Sequence, residues 1–395
     1  MTEITRHLFL RQCLALGLSS SLAAALSATG VFGASKPSKV VIVGAGAAGL
    51  TAGYLLRRAG VEVQIVEAAK QIGGRVKRLK GFADFPVDLG AEWIHDEPSV
   101  LGDIVDDPSV LMDVETIDYE PQQFQSWVDG RLKQQNWLRR VYAEYKFKTT
   151  TWYGFFERFI VPTVRDQIHL NSPVASIDYS GSQVVVKTKR GQVFKGDKVI
   201  VSVPVTMLQR DAIRFDPPMP KAQSRAIRGV VMGDGIKVFV EFSKRFYPDV
   251  LIFDRGTKVA LGGDYKTVYD AAFGKGSRRH ILGLFAVNAQ AGPYVRLSDR
   301  DVGAKLIGEL DQIYGGQASR YYVKHVVQNW SKEPYIRGSY SYDFDDAEFD
   351  SMAEILAPLQ QRVFFAGEAL GGRNQATVHG ACQSAHQTVK RVLAS

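Results

Sequence analysis

The glycine-rich segment at residues 44–49 is the clearest candidate for ligand-binding chemistry in this sequence. It reads Gly-Ala-Gly-Ala-Ala-Gly and directly follows a short apolar run at residues 39–43. Gly44 allows a tight turn, Gly46 lets the backbone approach a pyrophosphate, and Gly49 lets a following helix pack close to the strand. The segment therefore predicts a strand, a phosphate-binding turn and a helix.

An acidic residue completes this pattern. Glu67 ends the next apolar run, residues 61–66, at a distance from Gly49 where a carboxylate can accept hydrogen bonds from ribose. The helix that begins near Ala48 would offer N–H groups and the positive end of its dipole to the phosphates. The three features together predict a dinucleotide site. The alternative is a glycine-rich turn that binds no ligand.

A second glycine pair lies just beyond Glu67. Gly73 and Gly74 directly precede Arg75, and an arginine near a pyrophosphate can bind it through two N–H groups. The other interpretation of Arg75 is a solvated surface charge. Residues 87–95 then read Val-Asp-Leu-Gly-Ala-Glu-Trp-Ile-His and predict a short strand and a turn.

In combination, these segments resemble the flavin amine oxidase family, which includes monoamine oxidases, polyamine oxidases, L-amino-acid oxidases and lysine-specific histone demethylases. The resemblance implies an FAD cofactor, held non-covalently because no cysteine stands at the covalent attachment position of mitochondrial monoamine oxidases. In that family the Gly-Gly-Arg turn holds the pyrophosphate and ribityl chain, and the second segment lies beside the isoalloxazine ring. The residues implied to bind FAD here are Gly74, Arg75, Gly90, Ala91, Glu92 and Trp93.

The resemblance continues to the C-terminus. It implies that Val174 binds the adenine edge through its backbone, and that Gly367 and Glu368, at the end of a buried strand, bind the ribityl chain. It also implies that the helix N-terminus at Thr377 and Val378 directs N–H groups at flavin N1 and O2, where reduced flavin carries negative charge.

Two residues are candidates for a catalytic role. Lys237 lies among apolar residues in a predicted strand, residues 235–242, which is a costly place for an ammonium group without a partner. The resemblance implies that Lys237 holds a water against flavin N5, whereas a lysine in a strand otherwise usually points to solvent. Trp330 opens a segment, residues 330–340, that the resemblance places beside the flavin; the alternative is a core tryptophan.

The sequence departs from the family in two places. The segment between His95 and Leu170 is shorter than the helical substrate lobe of typical members. Many amine oxidases also have a tyrosine shortly before the final helix, as one wall of an aromatic cage, where this sequence has Asn374 and Gln375. The cage is therefore incomplete or rebuilt from elsewhere.

These observations predict an α/β fold with a Rossmann-type FAD-binding domain, made of a parallel sheet and a β-meander, and an interleaved α+β substrate domain. The FAD-binding domain is predicted at residues 35–95, 165–215 and 335–395, and the substrate domain at 96–164 and 216–334. Residues 1–34 read as an export signal, with basic residues Arg6 and Arg11 before an uncharged apolar stretch. It resembles a twin-arginine signal in which His7 replaces the second arginine, and it predicts a periplasmic or secreted protein; an uncleaved membrane anchor is the alternative.

Composition narrows the function further. The chain has 395 residues, 45% of them hydrophobic, and a net charge of +8, but no basic run typical of a nucleic-acid arm. Its two cysteines and the spacing of its seven histidines do not fit a metal site.

We therefore expect an FAD-dependent amine oxidase. A primary or secondary amine or an amino acid would pass a hydride to flavin N5, the imine would hydrolyse, and oxygen or another acceptor would reoxidise the flavin. The alternatives are a flavin desaturase or protoporphyrinogen-type oxidase, and a non-catalytic FAD-binding interaction protein. No nucleic-acid partner and no stable membrane span of the mature form are expected.

Overall fold

The computed structural model describes residues 36–140, 144–253, 266–341 and 348–395. The predicted export signal, residues 1–34, lies outside these ranges. Among the described residues, no helix has the length and apolar character needed to cross a membrane.

The strands and helices of the described ranges are named here in chain order. The strands are β1 (Lys39–Val43), β2 (Glu62–Val66), β3 (Arg78–Leu79), β4 (Val87–Asp88), β5 (Trp93–Ile94), β6 (Thr116–Tyr119), β7 (Phe124–Val128), β8 (Arg131–Gln134), β9 (Glu144–Phe147), β10 (Ile168–His169), β11 (Val174–Asp178), β12 (Val184–Thr188), β13 (Val193–Gly196), β14 (Lys198–Val201), β15 (Arg214–Asp216), β16 (Gly235–Phe242), β17 (Val250–Ile252), β18 (Lys266–Asp270), β19 (His280–Val287), β20 (Tyr322–Asn329) and β21 (Val363–Phe365). The helices are α1 (Ala47–Arg58), α2 (Val100–Val105), α3 (Trp152–Phe159), α4 (Val161–Val164), α5 (Val205–Gln209), α6 (Lys221–Gly229), α7 (Gly292–Val295), α8 (Asp299–Tyr314), α9 (Gln317–Tyr321), α10 (Glu348–Leu356) and α11 (Val378–Ala394).

A parallel sheet in the order β10-β2-β1-β14-β21 forms the nucleotide-binding half of the molecule. Its central strands β1 and β14 are almost wholly apolar and buried, as expected for a parallel sheet covered on both faces. Helices α1 and α11 pack together within the apolar core on one side. The antiparallel strands β11, β12 and β13 share the core on the other side. The predicted parallel sheet and β-meander are both present.

A larger sheet, in the order β20-β16-β19-β18-β17-β7-β8, forms the other half. Helix α8 packs on one face through Val302, Leu306 and Leu310. Strands β7 and β8 lie in the predicted 96–164 segment, and β7 pairs in parallel with β17 from the 216–334 segment. Both segments of the predicted substrate domain therefore contribute to one sheet.

A small antiparallel sheet in the order β5-β9-β6 lies near this larger sheet. The register sets Trp93 directly opposite Lys146, and Tyr119 opposite Glu144. Because directly opposed residues in an antiparallel pair point to the same face, one face of this sheet carries two aromatic and two charged side chains.

Candidate active site

The loop between β1 and α1 forms a narrow cradle. A Cβ atom at position 49 would lie 2.0 Å from the carbonyl oxygen of Gly44, so the approach of helix and strand requires glycine there. A Cβ atom at Gly46 would meet no atom within 4 Å, because this residue borders open space. Gly73 donates its N–H to the carbonyl oxygen of Ala45 at 2.8 Å. The two glycine-rich turns therefore lie against each other and form one wall.

The open space is a cavity of about 960 Å³ that runs between the two halves of the molecule. Of the predicted site residues, only Gly49 lies behind the wall rather than on it. The cavity is lined by Gly44, Gly46, Ala48, Glu67, Gly74, Arg75, Gly90, Ala91, Glu92, Trp93, Val174, Lys237, Trp330, Gly367, Glu368, Thr377 and Val378.

Glu67 lines the cavity. Its two oxygens accept hydrogen bonds from the backbone N–H groups of Ala45 at 2.6 Å and Ala69 at 2.7 Å. Burial raises the pKa of Glu67, although these backbone N–H groups act in the opposite direction. The carboxyl group is thus fixed beside the phosphate-binding turn, where it can accept a further hydrogen bond from a ribose hydroxyl.

Arg75 and Glu368 lie next to each other in the cavity wall. The Arg75 Nη1 atom is 2.8 Å from the Glu368 carboxylate and also donates to the carbonyl oxygen of Ser339 at 3.0 Å. Glu368 additionally accepts from the N–H and the hydroxyl of Ser341, at 3.0 and 2.8 Å. The phosphate contact expected of Arg75 is a sequence prediction; the contact present in the structure is this ion pair.

The N-terminus of α11 faces the cavity at Thr377 and Val378. The Thr377 hydroxyl accepts from the N–H of Gly380 at 2.9 Å and donates to the carbonyl oxygen of Asn374 at 2.6 Å. This cap satisfies one N–H group of the first turn and fixes where the helix begins. The positive end of the helix dipole is therefore directed toward the cavity.

Trp330 is buried in the cavity wall. Its indole N–H donates to the carbonyl oxygen of Leu89 at 3.0 Å. A Cβ atom at Gly90 would lie 1.8 Å from the carbonyl oxygen of Arg75 and 3.0 Å from the indole ring, so glycine at this position allows both groups to approach the β4–β5 turn. Trp330 therefore has a fixed orientation before any ligand binds.

Lys237 extends from β16 into the site and is only 1% exposed, which excludes the solvent-pointing interpretation. Its Nζ atom donates to the carbonyl oxygens of Asp88 and Gly90, both at 3.0 Å, and to the Glu92 carboxylate at 2.7 Å. The ammonium group thus fixes the turn between β4 and β5. The three acceptors match its three N–H donors.

Glu92 is shared with a second lysine that sequence reasoning missed. Lys146, fully buried, lies 2.5 Å from one oxygen of Glu92, while Lys237 and the hydroxyl of Tyr269 bind the other. The Lys146 Nζ atom also lies 4.7 to 5.2 Å from the ring centres of Tyr119, Tyr269 and Trp93. The only hint in the sequence is the alternation of charged residues in β9, which by itself is typical of a solvent-facing strand.

The pKa directions in this cluster follow from burial and charge. Burial would raise the pKa of Glu92, but Lys146 and Lys237 outweigh it and hold the pKa well below its usual range. Burial lowers the pKa of Lys237, and the Lys146 charge lowers it further. Burial and the Glu92 charge raise the pKa of Asp88 to about 8, while burial and the Lys146 charge lower the pKa of Lys275 to about 8.

Beyond this cluster, the same cavity is walled by aromatic side chains. The ring centre of Phe285 lies 6.3 Å from that of Trp93 and 6.4 Å from that of Tyr340, and all three residues line the cavity. Gln375, which stands in the region of the missing cage tyrosine, instead donates to the Ser341 hydroxyl at 2.9 Å. The aromatic surface is therefore built from β5, β19 and the segment after Trp330.

A histidine and a glutamate lie at the same end. His95 Nδ1 is 2.9 Å from a carboxyl oxygen of Glu144, and the side chain of Glu144 is buried. Both residues line the cavity. Among the described residues, by contrast, no group of three His, Cys, Asp or Glu side chains could hold a metal ion.

The wall residues fit FAD. The cavity is lined by both Glu67 and Lys237, and position 46 leaves open space where a pyrophosphate needs close backbone approach. The Arg75–Glu368 pair and the N-terminus of α11 line the same cavity. These walls thus offer a carboxyl group for a ribose, an arginine for phosphates and a helix N-terminus for the negative charge of a reduced flavin.

Comparison with known proteins gives the family. Residues 155–393 match the model of flavin containing amine oxidoreductases, and residues 42–108 match an NAD(P)-binding Rossmann-like domain. The first match covers more than half of the chain, and the chain belongs to the flavin-containing amine oxidoreductase family. The predicted family, the Rossmann-type α/β fold and FAD as the cofactor are confirmed.

Individual relatives are distant. The chain is 26% identical to lysine-specific histone demethylase 1B of Mus musculus over 90% of its own length, but spans only 53% of that protein. It is 24% identical to polyamine oxidase 3 of Oryza sativa subsp. japonica, covering 87% of each chain. Among solved structures, putrescine oxidase bound to putrescine has a TM-score of 0.74 at 18% identity, covering 90% of this chain and 99% of that one. Cyclohexylamine oxidase from Brevibacterium oxydans has a TM-score of 0.75 at 16% identity, covering 90% and 98%. At these identities the structures show a shared fold.

Proposed function

We propose that this protein oxidises a small primary or secondary amine with non-covalently bound FAD. The observation that carries the proposal is that one cavity is lined both by the residues that fit FAD and by an aromatic and acidic group of side chains. When bound, the flavin accepts a hydride from the carbon next to the amine nitrogen and is later reoxidised by oxygen or another acceptor. The imine product then hydrolyses in water to a carbonyl compound and ammonia or a smaller amine.

The residues at the pocket end would bind and orient the amine. Trp93, Phe285 and Tyr340 offer aromatic faces that attract an ammonium group and its alkyl chain. The Glu144 carboxyl group adds negative charge next to His95, so a cationic amine is favoured over an anionic substrate at this wall. These side chains provide the aromatic surface that Asn374 and Gln375 do not.

Lys237 would act at the boundary between the pocket and the cofactor. Its ammonium group holds the carbonyl groups of Asp88 and Gly90 and the carboxylate of Glu92. This fixes the turn that carries Ala91 and Trp93 along the cavity. Trp330, held against the same turn through its indole N–H, would exclude water there.

Product formation tests the proposal. The FAD-loaded full-length protein is incubated in air with monoamines, diamines, polyamines and amino acids, and hydrogen peroxide and carbonyl products are measured. We expect peroxide with at least one amine. Lys237→Met should lower that rate by about tenfold or more, equivalent to about 1.4 kcal/mol of transition-state stabilisation.

Lys244→Met is the matched control, because Lys244 is exposed just beyond the end of β16 and should not affect the rate. Absence of peroxide and carbonyl product with every amine, from protein that binds FAD, would favour a non-catalytic flavoprotein. Oxidation at a carbon that bears no amine nitrogen would favour the desaturase or protoporphyrinogen-type alternative.

We also propose that residues 1–34 direct export. The support is the order of basic, apolar and small residues in the sequence. Cell fractionation after expression in a bacterium should recover a shortened chain outside the cytoplasm. Full-length chain in the cytoplasmic fraction would contradict export, and full-length chain in the membrane fraction would indicate an anchor.

A further inference from the structure

The most unusual feature outside the cofactor cradle is a buried cluster with more cationic than anionic groups. Three lysines, Lys146, Lys237 and Lys275, interact there with two carboxyl groups, Glu92 and Asp88. Buried charges are usually paired one to one, because an unmatched charge in a low-dielectric interior is costly. This arrangement therefore requires an explanation beyond stability.

Glu92 is the centre of the cluster. Lys146 binds one of its oxygens at 2.5 Å and Lys237 the other at 2.7 Å. Both lysines are at most 1% exposed, so solvent does not replace a missing counter-ion for either. A single carboxylate thus serves two ammonium groups.

Aromatic rings surround the Lys146 ammonium group. Three rings lie around its Nζ atom, those of Tyr119, Trp93 and Tyr269, and aromatic faces stabilise a cation. The hydroxyl of Tyr269 donates to the same Glu92 oxygen as Lys237 does. That oxygen therefore accepts hydrogen bonds from two donors. Lys237 therefore shares its Glu92 oxygen with Tyr269 and shares the negative charge of the carboxylate with Lys146.

We propose that Lys146 is a positioning residue for Lys237, because it competes with Lys237 for the single carboxylate of Glu92 at the wall of the cavity. Lys146 itself does not line the cavity, so it would act only through its neighbours. This inference rests on the proposed function for its catalytic consequence. The competition itself can be tested without any substrate.

Several charged and titratable groups face Lys237 and Lys146. The groups that face Lys237 are Glu92, Asp88, Lys146, Lys275 and Tyr269. Lys146 also faces Tyr119 and Tyr269 and influences Lys275 and Asp270. Among these, removal of the Lys146 charge would raise the pKa of Lys237 and of Lys275, because that charge lowers both.

The first test is the pH dependence of stability. Lys275 has a pKa lowered to about 8 from 10.5, and the pKa of Lys237 is also lowered. Between the lowered pKa of about 8 and the ordinary value of 10.5, the unfolded chain binds more protons than the folded protein. The unfolding free energy therefore rises with pH in this range. Asp88, with its pKa raised to about 8, has the opposite effect on the unfolding free energy, but only below about pH 8.

Lys146→Met should therefore flatten the rise in thermal stability between about pH 8 and 10. Lys146→Met should change this pH slope less in a protein that already carries Lys237→Met, because the two lysines then no longer compete for Glu92. Lys148→Met is the control: Lys148 follows the same strand, is half-exposed and pairs with Glu115 at 3.2 Å, so it should leave the slope unchanged. Lys146→Gln provides a polar variant with the same loss of charge should the methionine variant not fold.

The second test measures the rates of anaerobic flavin reduction and of reoxidation as a function of pH. It compares the pH at which each rate changes on the alkaline side, called the basic limb of the profile. Lys146→Met should move the basic limb by about one pH unit or more to the alkaline side, because the Lys146 charge lowers the pKa of Lys237. A shift of this size is expected when a nearby charge is removed. Glu92→Gln should move it to the acidic side. Superposition of the Lys146→Met and wild-type curves in both tests would overturn the inference.

The two proposals fail in distinguishable ways. A flattened stability slope without any amine oxidation would keep the competition between lysines and reject the proposed function. Amine oxidation with unchanged slope and unchanged basic limb would keep the function and reject a role for Lys146.

Discussion

At the scale of single residues, most of the predicted residues that line the cavity could be named from sequence because they belong to short motifs, each in one stretch of chain. Glu67 ends a strand, Arg75 follows two glycines, and Glu368 closes a buried apolar run. Lys146 and Tyr269 could not be found in this way. Their contacts with Glu92 depend on how β9 and β18 are placed against the β4–β5 turn, and no local pattern encodes that placement.

Glu144 gives a prediction at this scale. Glu144→Gln keeps the shape of the side chain but removes the negative charge that lines the pocket beside His95. We expect the kcat/KM for a cationic amine to fall by about tenfold or more, since charge-assisted contacts contribute about 1.5 to 3 kcal/mol. Steady-state kinetics with the best amine from the product screen measures this effect.

The same substitution at Glu97 provides the control. Glu97 is exposed, accepts from the Tyr145 hydroxyl at 3.1 Å and does not line the cavity. Equal kinetics for the Glu144 and Glu97 variants would remove Glu144 from the account of amine binding.

At the scale of elements, the sequence predicts helices and strands well where periodicity and capping agree. The Ser298 side chain caps α8 by accepting from the N–H of Asp301, as its capping-box pattern indicates. The order of strands in the seven-stranded sheet could not be predicted, because β7 joins it from a distant part of the chain. The shortened lobe thus supplies strands to that sheet, and the sheet positions the aromatic wall.

Two glycines in α8 test how this helix packs on the sheet. A Cβ atom at Gly303 would lie 2.4 Å from the imidazole of His325, whereas a Cβ atom at Gly308 would meet nothing within 4 Å. Gly308→Ala should therefore raise the unfolding free energy by about 0.5 to 1 kcal/mol through helix propensity. Gly303→Ala should lower it by about 1 to 3 kcal/mol through overpacking.

Denaturant unfolding of the two variants measures both effects. Because the substitutions are identical and lie in one helix, differences in intrinsic propensity cancel between them. A stabilised Gly303 variant would mean that His325 moves aside freely and that the packing of α8 on β20 is looser than described.

At the scale of the whole molecule, the cavity lies between a parallel nucleotide sheet and a seven-stranded sheet, and both halves supply its walls. The sequence predicts this division from the alternation of motifs and strands. It does not predict that Lys237, on the larger sheet, holds the turn between β4 and β5 through two backbone carbonyl groups. The boundaries at residues 95, 165, 215 and 335 stay predictions.

Cofactor binding should link the two halves energetically. A ligand at 100 times its dissociation constant stabilises the folded state by about 2.7 kcal/mol, so FAD should raise the melting temperature of the apoprotein by several degrees. Gly46→Val should remove this shift while leaving the apoprotein's melting temperature nearly unchanged, because its side chain enters open space. Differential scanning fluorimetry with and without FAD measures both quantities.

Gly229→Val is a suitable control, because a Cβ atom at that position also meets nothing within 4 Å and the residue does not line the cavity. A full FAD shift in the Gly46 variant would place the pyrophosphate elsewhere and would contradict the cradle described above.

The proposed reaction depends on one cavity that brings an amine, an FAD and the Lys237 turn together. Its most direct test is an anaerobic titration of the purified, FAD-loaded protein with the amine panel, followed by the visible flavin absorbance. We predict a yellow protein that at least one amine bleaches and that recovers its colour when oxygen is admitted. A protein that stays colourless with added FAD, or a yellow protein that no amine bleaches, would contradict the proposed reaction.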